Sequence, residues 1–189
     1  MIYCMQDSYY DVLALRGMNC SDIEEIYTSL SNQDYRIRTY AAQVIQTKYP
    51  TKKSFDKAIK LLSSKKYYER EIGSYVLGQL GTPNMPFAKE SMPFLYKLLD
   101  DKSISVKSSA ISSIGHLWSL SDVEKDEQIV DKIINFTNDR HISIQISSIM
   151  ALSSLIGNKK AMRAIKKILN NSKIQEVKEW AEVAMDILS

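Results

Sequence analysis

The sequence predicts an all-α protein, a right-handed α-α superhelix in which about five helix pairs stack into one solenoid. Three observations predict it. A short pattern recurs every thirty-odd residues, the stretches between its copies carry apolar residues at helical spacing, and turn formers are scarce, with six glycines and four prolines in 189 residues. An all-β fold needs more turns than that, and no run alternates in the manner of a strand.

The recurring pattern is an apolar or charged residue, a long polar one, then small residues leading an apolar helix. Its copies are Ile37-Arg38 with Ala41-Ala42, Glu69-Arg70 with Gly73-Ser74, Val106-Lys107 with Ala110-Ile111, Ile144-Gln145 with Ser148-Ile149, and Val177-Lys178 with Ala181-Glu182. The anchors Arg38, Arg70, Lys107, Gln145 and Lys178 are 32, 37, 38 and 33 residues apart, room for two short helices and two turns. Ala41, Gly73, Ala110, Ser148 and Ala181 fall at one equivalent position, where a bulky side chain would hold neighbouring helices apart.

Between the copies lie the other helices of the pairs. Ile23, Ile26, Tyr27 and Leu30 share a helical face, as do Phe55, Ala58, Ile59 and Leu62; Met92, Leu95, Tyr96 and Leu99; Ile129, Val130, Ile133 and Ile134; and Met162, Ile165, Ile168 and Leu169. Capping boxes are expected at Ser21-Asp22-Ile23-Glu24 and Ser121-Asp122-Val123-Glu124. Gly81 and Gly157 stand where helices are expected to end on a left-handed residue. Residues 1–189 read as a single domain. Residues 20–189 hold the repeats, and Tyr9, Tyr10, Val12, Leu13 and Leu15 suggest that residues 1–19 form a capping helix over the first pair.

Composition narrows the class. Hydrophobic residues at 44% with a net charge of +3 exclude a disordered chain, and the charge is too small to require a nucleic-acid partner. Cys4 and Cys20 show no CxxC spacing and read as reduced thiols of a cytoplasmic protein. Met1 to Leu15 is broken by Gln6, Asp7, Ser8 and Asp11, so no secretory leader is expected, and no apolar run reaches the ~18 residues of a membrane span.

Asp34-Tyr35-Arg36-Ile37-Arg38-Thr39-Tyr40-Ala41-Ala42 resembles the start of the second helix of a HEAT repeat. Asp101 to Lys107 and Asp139 to Gln145 are similar, more divergent copies. The resemblance covers residues 20–189 and implies the HEAT-like solenoid. Two positions depart from it: Glu69 replaces an apolar residue, and Gln145 a basic one. One HEAT-like branch consists of DNA glycosylases with tryptophans and an aspartate on the inner face. Trp118, Trp180 and Asp139 are the corresponding candidates. Angular spacing turns both tryptophans into neighbouring repeats, and Asp139 reads as a cap. Another branch resembles bilin lyases, but nothing in the sequence marks a tetrapyrrole site.

Setting the core direction by Ile37, Ala41, Val44 and Ile45 leaves an opposite face on each second helix. That face collects Arg36, Thr39, Gln43, Tyr68, Glu71, Tyr75, Ser105, Ser108, Ser112, Ser143 and Met150, the candidate partner-binding residues. Short serines admit a partner's backbone, and tyrosines give flat contact area with a hydrogen-bonding end. Asp22, Glu24 and Glu25 form a candidate acidic edge. Basic stretches run from Arg36 to Arg70 and from Lys159 to Lys167, mostly on first helices, where lysine serves solubility.

No HExxH, GxSxG, phosphate loop or metal-ligand cluster occurs, and the two histidines, His116 and His141, read as structural. The expectation is a non-enzymatic protein-binding module, monomeric on its own, with no catalytic residue, cofactor or metal. Small HEAT-like proteins of bacterial type include immunity proteins. That resemblance implies, as the most specific reading, a chain that covers the active cleft of a cognate toxin such as a nuclease. The alternatives are nucleic-acid binding related to the glycosylases and a general assembly scaffold.

Overall fold

A computed structural model of the protein describes residues 22–188, and these form five helix pairs. The first helices are α1 (Ile23–Ser29), α3 (Lys52–Leu62), α5 (Ala88–Leu98), α7 (Glu127–Phe136) and α9 (Lys159–Asn171). The second helices are α2 (Tyr35–Lys48), α4 (Tyr67–Gln79), α6 (Ile104–Leu120), α8 (Ile142–Ser153) and α10 (Gln175–Leu188). Each first helix packs on its own second helix. The second helices pack in chain order, α2 on α4, α4 on α6, α6 on α8 and α8 on α10, which is the expected solenoid. The capping helix expected within residues 1–19 lies outside the described residues.

Side-chain caps start most first helices. Asp22 accepts from the N–H groups of Glu24 and Glu25, Thr51 from Ser54, Asp126 from Gln128 and Ile129, and Asn158 from Lys160 and Ala161. The first expected capping box is therefore shifted, with Asp22 as the cap. The second does not form. Ser121 ends α6, its N–H bonded to the Leu117 carbonyl, and α7 begins only after Asp126. Burial decides this: Val123 is 5% exposed, so the connecting segment tucks its one apolar side chain away before the next helix can start. Gly81 and Gly157 both adopt positive φ, 80° and 77°, as their positions demanded.

The core is a continuous apolar seam between the two helix layers, with Ile26, Ile45, Leu95, Ile114, Ile133 and Ile165 fully enclosed. Ala41, Ala110, Ser148 and Ala181 are all 0% exposed, as small-residue packing requires. At Gly73 an added Cβ would lie 2.9 Å from the Ala58 carbonyl oxygen on the paired first helix. A second small-residue row joins the second helices to one another. A Cβ on Gly78 would lie 2.4 Å from Ser113 Cβ, and one on Gly115 2.6 Å from Ala151 Cα. Around these contacts serine hydroxyls donate to carbonyls of the neighbouring helix: Ser113 to Ser74 at 3.0 Å, Ser109 to Glu71 at 3.2 Å and Ser154 to Gly115 at 2.8 Å.

Three of the five repeat anchors share a task. Arg38 donates to the carbonyls of Asn32 and Gln33, Arg70 to those of Ser64 and Lys65, and Gln145 to that of Asp139. Each ties down the turn between the helices of its pair, whose carbonyls would otherwise lack partners. Gln145 departs from the basic pattern in charge but not in the bond it makes. Glu69 is held by the Ser64 hydroxyl and by Lys66, which is how an acidic side chain occupies a position expected to be apolar.

The tryptophans divide. Trp118 is 2% exposed within the stack, whereas Trp180 is 38% exposed on the last helix, where no further repeat among the described residues covers it. The expectation that both turn into neighbouring repeats is corrected for Trp180. Asp139 is not the N-cap of α8; that position is His141, whose N–H bonds to the Asp139 carboxylate at 2.9 Å.

Candidate binding groove

A groove of about 690 Å³ crosses the second-helix layer, lined by residues of α2, α4, α6 and α8 and by none of a first helix. Most lining residues stand on the side of their helix away from the core seam, while Ile72, Ser113 and Arg38 are buried at its base, so the amphipathic pattern that builds the solenoid also builds much of this surface. The middle of its floor comes from Tyr75 on α4 and Ser108, Ser109 and Ser112 on α6. Its size is that of a small-molecule pocket or one stretch of polypeptide.

Eight of the eleven predicted partner-binding residues meet here: Thr39, Tyr68, Glu71, Tyr75, Ser105, Ser108, Ser112 and Ser143. Arg36 lies outside the lining and forms an ion pair with Asp34 at 2.5 Å; Gln43 and Met150 also lie outside it. The predicted acidic edge is largely committed within the protein. Asp22 caps α1, Glu24 pairs with Lys53, and Glu25 is half-buried.

Sequence reasoning missed Tyr35, Arg38, Ile72, Gln79, Ile104, Ser109 and Ser113 as lining residues. Arg38 was legible as a repeat anchor, yet its guanidinium also lies 4.8 Å from the centre of the Tyr68 ring, at the groove wall. Tyr35 and Ile104 open their helices, and helix ends are where a wheel drawn from mid-helix residues is least informative.

The groove lining carries two charged side chains, Arg38 and Glu71. Burial pushes the Glu71 carboxyl above the ordinary range, while the nearby Arg38 charge and a hydrogen bond from Ser105 pull it back. Burial also raises the Tyr75 hydroxyl. The remaining surface is mostly hydroxyl and aromatic, with Ile72, Ile104 and Gln79 among it. Ser108 shares a hydrogen bond with Ser147 at 2.7 Å and donates to the Ser143 carbonyl, whereas Ser112 is exposed and open to a ligand.

A smaller hollow lies between α5 and the segment before α7, beside Tyr96, whose hydroxyl is pushed up to about 12 by burial and by Asp126 and Glu124. The predicted basic stretches fall mainly on α3 and α9, away from the groove. There Lys52 pairs with Asp56, and Lys160 pairs with Glu127 and Asp131. Among the described residues no three His, Cys, Asp or Glu side chains are placed to hold a metal, and no helix is long and apolar enough to cross a membrane.

The family model described as non-SMC mitotic condensation complex subunit 1 matches residues 76–188. A search of the curated proteins found no match. Among solved structures, the Escherichia coli protein YibA is similar over 97% of this chain with a TM-score of 0.78 and 20% identity, and the match covers 63% of YibA. The complex of CpcE and CpcF of phycocyanin lyase from Nostoc sp. PCC7120 is similar over 88% of this chain and 99% of that one, with a TM-score of 0.69 and 14% identity. A designed armadillo repeat protein in complex with the peptide (KR)4 is similar over 93% of this chain and 85% of that one, with a TM-score of 0.61 and 15% identity. At these identities the likeness is one of fold, and the fold is a helical-repeat solenoid of HEAT and armadillo type.

Proposed function

The chain belongs to the family of non-SMC mitotic condensation complex subunit 1, and from that premise we propose that it is a non-enzymatic protein-binding module whose binding surface is the groove across its second helices. The observation that carries the reading is the composition of that groove. Three tyrosines and two isoleucines stand among six serines, a rigid surface able to admit a polypeptide backbone and to hydrogen-bond it. The designed armadillo neighbour is in complex with a peptide, and the lyase neighbour is a complex of CpcE and CpcF. Both support a role in gripping another polypeptide. The cytoplasm is the compartment proposed for this encounter.

The most specific form of the proposal is a chain that blocks a toxin by lying over its active cleft. The acidic edge offers that form little, because Asp22 and Glu24 already serve internal contacts. The groove is the surface it would use.

A photoreactive amino acid placed at Ser112, with a second placed at Lys166 on α9, tests the proposal. A partner protein captured from Ser112 and not from Lys166 is the expected result. Equal capture from both positions would sink the groove. So would submicromolar binding of mixed duplex DNA with a steep dependence on salt, which marks phosphate recognition.

A further inference from the structure

One edge of the solenoid carries a second periodic pattern, beside the groove. The first residue of each of four second helices is a large apolar side chain left in solvent: Tyr35 at 59% exposure, Tyr67 at 54%, Ile104 at 37% and Ile142 at 39%. Two residues upstream of Tyr67, Ile104 and Ile142 stand Lys65, Lys102 and Arg140, and Lys173 holds the same place before α10. All four cations are exposed, and none forms an ion pair among the described residues.

Four of the five carboxylates of the same turns are already paired with a cation. Asp34 pairs with Arg36, Glu69 with Lys66 and Ser64, Asp100 with Lys132, and Asp101 with Arg70, while Asp139 accepts the His141 N–H. Asp139 keeps its charge beside Arg140 and Glu176 follows Lys173, so the excess of positive charge is clearest at Lys65 and Lys102. The positive ends of the α4, α6 and α8 dipoles add to it, since those helices have no side-chain cap bond at their N-termini. Tyr35 and Ile104 also line the groove, so edge and groove are one continuous surface.

We infer that this edge binds an extended acidic segment of the partner protein, with a carboxylate at every third residue and an apolar residue between. The inference rests on the groove reading for the class of partner and adds its chemistry. The spacing fits. Packed helices lie about 8–10 Å apart, and a polyproline II chain advances about 9 Å per turn of three residues. One face of such a chain meets each cation in succession while the next residue meets the apolar row. A single nucleic-acid strand would supply the negative charge and could stack on Tyr35 and Tyr67, but beside Lys102 and Arg140 the row offers it only the methyl groups of Ile104 and Ile142.

The test uses the full chain and a fluorescein-labelled peptide of repeated Glu-Leu-Pro triplets, with Gln-Leu-Pro and oligothymidylate as comparison probes. Binding of the Glu peptide is expected, weakened by salt and about tenfold looser in the double variant Lys102→Glu/Arg140→Glu, both residues being exposed. The Gln peptide is expected to bind at least about tenfold more weakly than the Glu peptide. Equal affinity for the Glu and Gln peptides, no binding of either, or tighter binding of oligothymidylate overturns the inference. Ser112→Trp separates the two claims. If it abolishes capture of the natural partner while the edge variant leaves capture intact, the groove stands and the edge falls.

Discussion

Arg70 grips Asp101 across the joint between the second and third helix pairs, Nε to Oδ2 at 2.7 Å and Nη2 to Oδ1 at 2.8 Å. The side chains are only 17% and 10% exposed, and a third arm of the same guanidinium holds the Ser64 carbonyl. A two-bond ionic contact of this geometry is far stronger than an exposed pair. Asp101→Asn is expected to lower stability by about 2 kcal/mol. Lys52→Gln, which breaks the exposed pair with Asp56, should change it by less than about 0.5 kcal/mol. Urea melts of the two variants make the comparison.

Acidity should act on this protein in two steps. Burial holds His116 below its ordinary value of 6.5, and its Nε2 is enclosed without a partner. The unfolded chain therefore takes up a proton first as the pH drops. The stability due to the neutral ring is fully present above 6.5 and is lost as the pH falls through the lower folded value. His116→Phe is expected to flatten the loss of stability between about pH 7 and pH 5, read from thermal midpoints. Asp101 follows, its carboxyl held below 3.8 chiefly by the hydrogen bond from Arg70, so its contribution persists until the pH falls beneath that value.

Glu71 runs the other way. Its carboxyl is raised above 4.5 by burial, so the folded state favours the protonated form, and that stabilisation is lost as the pH rises through the folded value. Glu71→Gln should be more stable than the parent at neutral pH, with the difference closing below 4.5. Paired melts of parent and variant at the two pH values decide it.

Close approach makes the glycines a sharper test of packing than the alanines. Gly78→Ala and Gly115→Ala should each cost about 1–3 kcal/mol, because the new methyl group meets Ser113 or the Ala151 backbone. Gly157→Ala has open space around it and a φ of 77°, so it should cost about 1 kcal/mol through backbone strain alone. Ala41→Arg and Ala110→Arg should cost about 2–4 kcal/mol, and Ser112→Ala close to nothing. Calorimetry on this set would disprove the stacking scheme if Gly115→Ala melted with the parent.

Much of this was legible from residue order because the repeat is a mechanical constraint repeated five times. Ala41, Ala110, Ser148 and Ala181 had to be small, Gly81 and Gly157 had to be left-handed, and both are seen. The groove was legible to the extent that it follows the helix wheel, which is why Tyr75, Ser108 and Ser112 meet in it. What escaped depends on contacts between helices far apart in sequence. Ser109 and Ser113 look like the other serines of α6 on a wheel, yet both spend their hydroxyls on carbonyls of α4. The Ser121 box failed for a similar reason: the local pattern was sound, but burying Val123 outweighed it.

The tight fit of Gly78 on Ser113, and of Gly115 on Ala151, also limits how such a chain can be rearranged. Each joint is a lock cut for one key, with a glycine on one helix and a matching small residue on the next. Moving the first or the last unit into the centre would set Gln46 or Asp186 where a glycine is required. The end units therefore cannot stand in for the central ones, whereas a copied central unit carries its own glycine and its own small partner, so this protein could grow from its middle and not from its ends.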